Sequence, residues 1–359
     1  MKFAFWGCLL GSALFLSACT SDSTAGKTAM VSTASTSLPD RPEFAQLDSS
    51  NVLGTIAFGS CNHEYDQQPM WDFILQENPD LWIWLGDNIY GDSEDMSVLQ
   101  AKYDQQLDNP DYQTLYRQVP IIGTWDDHDY GVNDGGKEFP QREASAELMM
   151  NFLNVPADAP QRQRPGTYSR YTLGTDSQLV KIILLDARYF RDELVQKGRG
   201  YGANATGDIL GEAQWTWLAE ELANSTAQVN IIGSGIQMIP EQHRFEKWAN
   251  FPTARKRLLE LIVSSKIANP ILISGDRHIG EISKLDIQGD DSPIYEITSS
   301  GLTHSYEKAK GEKNRYRISE LIGEKNFGLL HLDWSGDQVQ IKTQLKGLEN
   351  KLHDEVAIQ

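Results

Sequence analysis

The sequence predicts an α/β fold in which two packed, mixed β-sheets are flanked by helices. Three observations carry this expectation. Short apolar runs of strand length alternate with segments of helical period, the pattern of a layered domain. Several late runs keep the two-residue alternation of antiparallel strands, so a single doubly wound parallel sheet does not account for them. Five runs also stop at residues able to hold a metal, as strands do when their carboxyl ends line one site. With 359 residues, 40% of them hydrophobic, nine Trp and thirteen Tyr, the chain can bury a core of this size.

The first segment reads as an export signal. Met1-Lys2 is followed by an apolar stretch from Phe3 to Leu16 that is too short to span a membrane comfortably. Leu16-Ser17-Ala18-Cys19 resembles the bacterial lipobox, which implies a signal peptide over 1–18, a lipid on the Cys19 thiol and membrane attachment through it. Thr20 in place of aspartate favours the outer membrane. From Thr20 to about Arg41 the chain is rich in Ser, Thr and Ala, so residues 19–50 read as a flexible tether and the catalytic domain is expected over 51–359. Cys8 leaves with the signal and Cys19 is lipidated, leaving Cys61 as a lone thiol in an oxidising compartment. Its place in the turn Gly59-Ser60-Cys61-Asn62 favours ligation over burial in a core strand.

Along the folded part, Val52 to Phe58 is a strand ending at Cys61, and Pro69 to Gln76 is a short helix stopped by Asn78-Pro79. Leu81 to Leu85 is a strand that ends at Gly86-Asp87. Val98 to Leu107 and Asp111 to Gln118 are helical, and Ile121 to Trp125 runs into Asp126-Asp127-His128. Arg142 to Leu153 places Ala146, Met149, Met150 and Leu153 on one helical face, and Pro156 to Pro165 is a loop. Leu179 to Leu185 ends at Asp186. Gly211 to Asn224 and Thr253 to Lys266 are the clearest amphipathic helices, with a strand at Val229 to Gly233 between them. Ile271 to Ser274 ends at Gly275-Asp276, and further strands follow at Glu281 to Asp286 and Ile294 to Thr298. Gly328 to Trp334 and Val339 to Leu345 form a hairpin around Ser335-Gly336-Asp337.

The formal net charge of −18, with no basic block, excludes binding of a nucleic-acid polymer. An anionic substrate would then need local positive charge from metal ions or a placed arginine. Carboxylates gathered at strand ends repel one another unless a cation sits among them. Asp87 and Tyr90 lie three positions apart on one tight loop, and with Cys61 they offer carboxylate, phenolate and thiolate to a highly charged cation such as ferric iron. Asp276 and His278 are expected to share one face of an extended segment, because alternate residues do.

At these positions the chain resembles the PhoD-type alkaline phosphatase and phosphodiesterase family of the calcineurin-like metallophosphoesterase superfamily. The motifs are Gly-Ser-Cys-Asn at 59–62, Gly-Asp-Asn-Ile-Tyr-Gly-Asp at 86–92, Trp-Asp-Asp-His-Asp at 125–129, Leu-Asp-Ala-Arg-Tyr-Phe-Arg-Asp at 185–192 and Ser-Gly-Asp-Arg-His at 274–278, in family order. The resemblance implies a four-layer sandwich binding Fe3+ and Ca2+, or another divalent ion at the second position. By it, Cys61 and Tyr90 are iron ligands, Asp87 bridges the two metals, Asp276 and His278 are late ligands, and Asn133 is a metal-binding asparagine. Asp127 stands where the wider superfamily has asparagine, and His128 matches the histidine beside the scissile phosphate. The family's separate N-terminal β domain has no room ahead of Asn51, and a capping C-terminal helix is not expected after Leu348.

The expectation is therefore a metal-dependent phosphoesterase that acts outside the cytoplasm on phosphodiesters, and on monoesters too, using water activated by the ions. His128 would donate a proton to the leaving oxygen, worth roughly a hundredfold to ten-thousandfold. Arg188 would neutralise charge on the equatorial oxygens, or else pair with Asp186 or Asp192. His63 and His304 read as bystanders or supporting groups. Two alternatives stand beside this: a surface lipoprotein with the same metal site that binds an anionic ligand without turnover, and a carboxylate-pair glycoside hydrolase, which gives Cys61 and Tyr90 no role. The sequence leaves the oligomeric state open.

Overall fold

The computed structural model describes residues 43–287, 293–309 and 311–358. The expected signal peptide, Cys8, Cys19 and most of the tether lie outside the described residues. Phe44 stacks on Tyr116 with ring centroids 4.3 Å apart, and Ala45 N donates to Tyr116 O, so the packed part begins ahead of the expected Asn51.

In chain order the elements are β1 (Thr55–Gly59), α1 (Met70–Gln76), β2 (Leu81–Leu85), α2 (Met96–Leu107), α3 (Pro110–Gln118), β3 (Ile121–Thr124), the single turn α4 (Asp127–Tyr130) and α5 (Arg142–Phe152). There follow β4 (Ser169–Leu173), β5 (Val180–Leu184), a small ribbon of β6 (Gln196–Lys197) and β7 (Gly200–Tyr201), α6 (Gly211–Ala223), β8 (Val229–Ser234), α7 (Pro252–Ser265) and β9 (Pro270–Ser274). The chain closes with β10 (Gly280–Leu285), β11 (Ile294–Ser299), β12 (Phe327–Asp333), β13 (Gln340–Lys346) and β14 (Leu352–Ile358).

Two six-stranded mixed sheets result, with strand orders β14-β13-β12-β1-β2-β3 and β10-β11-β9-β8-β5-β4. In the first, β1, β2 and β3 are parallel and β12 joins β1 antiparallel, with Thr55 opposite His331. In the second, β5, β8, β9 and β11 are parallel, and β4 and β10 are antiparallel edges. The two-residue period of each strand sorts its side chains between layers. Leu81, Ile83 and Leu85 of β2 enter the core between the sheets with Ile182, Ile231 and Ile273. Trp82 and Trp84 point the other way, into a core roofed by α1, α2, α3 and α5. Ile183, Ile232 and Leu272 meet Trp215, Leu218, Leu258 and Ile262 of α6 and α7. The four-layer arrangement expected from the sequence is the one observed.

Three local expectations change. β4 and β14 were not foreseen, because both are edge strands whose outward residues are exposed and weakly apolar. The region after Leu348 thus ends as a strand paired to β13, with Thr343 opposite Val356. The stretch 156–165 contains one 3-10 turn, Pro160–Gln163.

Candidate metal centre

The loops after β1, β2, β3, β9 and β11 converge where the carboxyl ends of both sheets meet. Thr303 N donates to Cys61 O at 3.3 Å, Leu302 N to Ser60 O at 3.2 Å, and Asn62 N to Asp87 O at 2.9 Å. Glycine permits the close approach at two points. A Cβ on Gly86, whose φ is +92°, would lie 2.4 Å from Asp126 Cβ, and one on Gly275 would lie 2.5 Å from Ser60 Oγ. The side chains themselves sit on strained backbone. Cys61, Asp87, Asp276 and His278 have φ of 62°, 49°, 67° and 54°. Each left-handed residue costs roughly 1–2 kcal/mol, and such outliers gather at functional sites. The extended segment expected for Asp276 to His278 is therefore a tight left-handed turn, closed by Arg277 N donating to Gly275 O at 2.9 Å.

Three overlapping groups of ligand atoms lie within 4.8 Å of one another: Cys61, Asp87 and His278; Asp87, Asp127 and His128; Asp126, Asp127 and Asp276. Asp87 and Asp127 are the shared members, so the groups form one continuous string. In the first, Cys61 Sγ is 3.3 Å from Asp87 Oδ2 and 2.9 Å from Ser300 Oγ. Tyr90 OH is 3.4 Å from Asp87 Oδ2, 3.1 Å from His278 Nε2 and 2.9 Å from His304 Nε2. The expected thiol, carboxylate, phenol and imidazole do meet. Asp276 belongs to the carboxylate group, one step along the string.

The electrostatics fit a cation. Burial, then Cys61 and Asp127, push the Asp87 carboxyl well above the carboxylate range. Burial and Asp127 push Asp276 up to about 8. Burial pushes the Cys61 thiol up to about 11, although Ser300 and Ser60 pull it down. Burial works against Asp127 as well, yet Arg188 and His128 hold it at about 2. Asp127 Oδ1 and Asp276 Oδ2 are buried with no hydrogen-bond partner among the described residues. Buried acceptors left this way are costly unless an ion or water completes them. The all-oxygen group suits a hard divalent ion, and the group with the thiol and phenol suits a more highly charged one.

His128 Nδ1 is 2.7 Å from Asp92 Oδ1. Burial pulls it down, but Asp87 and the bond to Asp92 lift it to about 10. Asn133 is exposed on the rim, with Nδ2 2.7 Å from Asp134 Oδ2. His128 and Asn133, with Asp87, Asp127, Asp276 and His278, line a cleft of about 260 Å³ whose lining also includes Phe245 and Arg277. A groove of about 1290 Å³ opens at the amino ends of the strands. Its lining contains neither His nor Cys, so the chemistry belongs to the smaller cleft.

Arg188 does not reach that cleft. It is fully buried, 2.6 Å from Asp126 and 2.6 Å from Glu246, with Asp127 at 3.8 Å. It pairs with neither Asp186 nor Asp192 but sets the charge and position of the carboxylates. Asp186, the end of the fourth run, is likewise no ligand. Its carboxylate accepts from Trp125 Nε1, Arg188 N, Tyr189 N and Thr167 N at 2.8–2.9 Å.

Several participants had no assigned role in the sequence. Asp92 lay inside the 86–92 motif without a partner until the fold brought His128 beside it. Asp129 accepts from the backbone N of Asp87, Asn88 and Asp126 at 2.7–3.2 Å and so fixes two loops at once. Ser300, in the turn after β11, contacts Cys61, and its Oγ accepts from His278 N at 2.7 Å. Glu246 carried no motif.

The sequence model of the PhoD-like phosphatase family matches residues 56–343. Alkaline phosphatase D of Bacillus subtilis (strain 168) is 24% identical over 298 residues, covering 69% of this chain and 51% of that protein, so the chain spans about half of that relative's length. A solved structure of PhoD superposes with a TM-score of 0.66 at 17% identity, covering 88% of this chain and 73% of the other. The purple acid phosphatase PPD1 from yellow lupin (Lupinus luteus) seeds superposes with a TM-score of 0.59 at 13% identity, covering 88% and 55%.

Proposed function

Because the chain belongs to the PhoD-like phosphatase family, we propose that it is a metal-dependent phosphoesterase that hydrolyses phosphodiesters, and monoesters as well, outside the cytoplasm. One observation carries the reading: buried, unpartnered oxygens of Asp127 and Asp276 stand beside the Cys61, Asp87 and His278 group at the floor of a cleft that includes His128. Cys61, Asp87, Tyr90 and His278 would hold Fe3+, and Asp87, Asp127, Asn133 and Asp276 would hold Ca2+ or another divalent ion. When bound, these ions supply Lewis acidity toward phosphoryl oxygens and acidify water.

The chain's own residues do the remainder. Asp92 takes the Nδ1–H of His128, which leaves Nε2 to carry the proton for the leaving oxygen. Arg188 acts beneath the site, pairing with Asp126 and holding Asp127 ionised and in place for cation binding. Arg277, paired to Glu312 at 2.7 Å and lying over Phe245, contributes positive charge at the wall of the cleft in an otherwise acidic protein. The leader motif supports a further part of the reading: export, cleavage before Cys19 and attachment to a bacterial membrane through its lipid, with the chain ahead of Phe44 as tether.

The test is elemental analysis of the native protein combined with assays on aryl phosphate mono- and diesters, with and without chelator. Bound metal with chelator-sensitive diester cleavage supports the proposal. Metal without turnover favours the anion-binding lipoprotein, and a metal-free protein rejects both.

A further inference from the structure

Two arginines, Arg244 and Arg277, line the cleft. Arg277 is buried, and its Nη2 donates to both Glu312 oxygens, at 2.7 and 2.9 Å, so much of its charge is answered within the protein. Arg244 differs. It is exposed, and among the described residues its guanidinium pairs with no carboxylate; its central carbon lies over the Phe245 ring, 4.8 Å from the centroid. The acids of the lining are engaged elsewhere. Glu246 is held by Arg188 and Arg191 at 2.6 and 3.0 Å, and Asp134 accepts from Tyr201 OH and from Asn133 Nδ2. Asp87, Asp127 and Asp276 belong to the ligand groups.

The loop that carries Arg244 is nevertheless fixed. Tyr201 N donates to Arg244 O at 3.0 Å, and the β6–β7 ribbon packs so closely there that no Cβ fits on Gly200 against the same oxygen. Lys247 Nζ donates to Phe245 O at 2.9 Å. The Phe245 ring meets Tyr306 edge on, with centroids 6.4 Å apart, and attracts Arg277, whose guanidinium carbon is 4.2 Å from its centroid. Backbone and ring are thus anchored while the N–H donors of one cation stay free. A guanidinium presents five such donors in a planar fork that matches phosphoryl oxygens. The cleft is small, about 260 Å³, and it also holds His128. A phosphate beside His128 therefore lies within the reach of an arginine side chain from the same lining.

We propose that Arg244 is a substrate-binding residue whose guanidinium takes a phosphoryl oxygen of the ester and of the phosphate released. It performs the task that the sequence suggested for Arg188, whose burial between Asp126 and Glu246 withholds it from the cleft. This rests on the phosphoesterase reading above.

The test compares full-length, metal-loaded wild type with Arg244→Ala, Arg244→Lys and, as a control for loss of surface charge, Arg199→Ala on the exposed turn of the ribbon. Arg244→Ala should raise KM for aryl phosphate mono- and diesters about tenfold or more, the worth of one hydrogen bond to a charged group, with kcat changed far less. Its affinity for inorganic phosphate, read by calorimetry, should fall by a similar factor while metal content stays the same. Millimolar guanidinium should restore part of the loss, as should Arg244→Lys, and Arg199→Ala should match wild type. Unchanged KM and phosphate affinity in Arg244→Ala overturn the proposal. Weakened binding that neither guanidinium nor Arg244→Lys restores also overturns it, because it marks a disturbed loop. Wild type that binds phosphate but cleaves neither ester rejects the phosphoesterase reading alone, and Arg244 is then judged on phosphate affinity.

Discussion

The guanidinium of Arg188 lies 2.6 Å from the Asp126 carboxylate, and neither side chain has any solvent exposure. Glu246 stands 2.6 Å from the same guanidinium and is in turn 3.0 Å from Arg191. Removing one partner of a buried pair leaves an uncompensated charge, which costs about 3–5 kcal/mol. Arg188→Met is expected to lose that much in urea unfolding. Arg188→Lys should also lose stability, because a point charge cannot fork to two carboxylates. An Arg188→Met protein as stable as wild type would remove the positioning role.

His128→Ala should lower kcat about a hundredfold to ten-thousandfold with metal content unchanged. Asp92→Asn should cost less in rate but move the pH profile. Asp92 raises the histidine, so its loss lowers the pH at which the proton is released. The alkaline fall in kcat/KM then shifts to lower pH. A profile that does not move would separate Asp92 from His128.

In chelator, the buried acids repel one another. Asp276 is raised by burial and Asp127 above its unfolded value, so its contribution to stability is present at low pH and lost as pH rises through about 8. Metal-free Asp276→Asn should therefore be more stable than metal-free wild type at pH 9, by at least ~1 kcal/mol, while losing metal affinity and activity. Asparagine tolerates the left-handed φ at this position. Calorimetry with and without metal reads both effects, and a less stable metal-free variant would contradict the repulsion.

Glu296, on β11, provides a pH test away from the metal ligands. Burial pushes it up to about 7, although Met238 N and Ile239 N donate to its carboxylate at 2.8 and 2.6 Å. The folded state binds the proton more tightly than the unfolded one. Stability from this group is full below about pH 4.5 and lost as pH rises through 7. Glu296→Gln should flatten the slope of unfolding free energy between those values, and an unaltered slope would rule the group out.

Much of the fold was legible because burial imposes periods. Leu81 to Leu85 could be read directly because a strand buried on both faces is apolar throughout, and so could the helix carrying Trp215 and Leu218, since a helix with one buried face repeats its apolar residues about every 3.6 positions. β4 and β14 escaped because edge strands with an exposed face carry little of that signal. In the site, Cys61, Asp87, Tyr90 and His278 were legible from type and motif, and their convergence appears in the distances. Arg188 was named from its motif with the wrong task, because nothing in linear order shows that Asp126 and Glu246 enclose it.

The order of residues by itself determined which side chains could bind cations and that strand ends would carry them. A hydrogen-bond partner or a burial depth is a relation between distant segments, and only the packed chain creates it. His128 gained Asp92 across 36 positions, Cys61 gained Ser300 across 239, and Asp276 took a left-handed φ of 67° in place of the extended backbone expected of it, next to Gly275, where a Cβ would lie 2.5 Å from Ser60 Oγ.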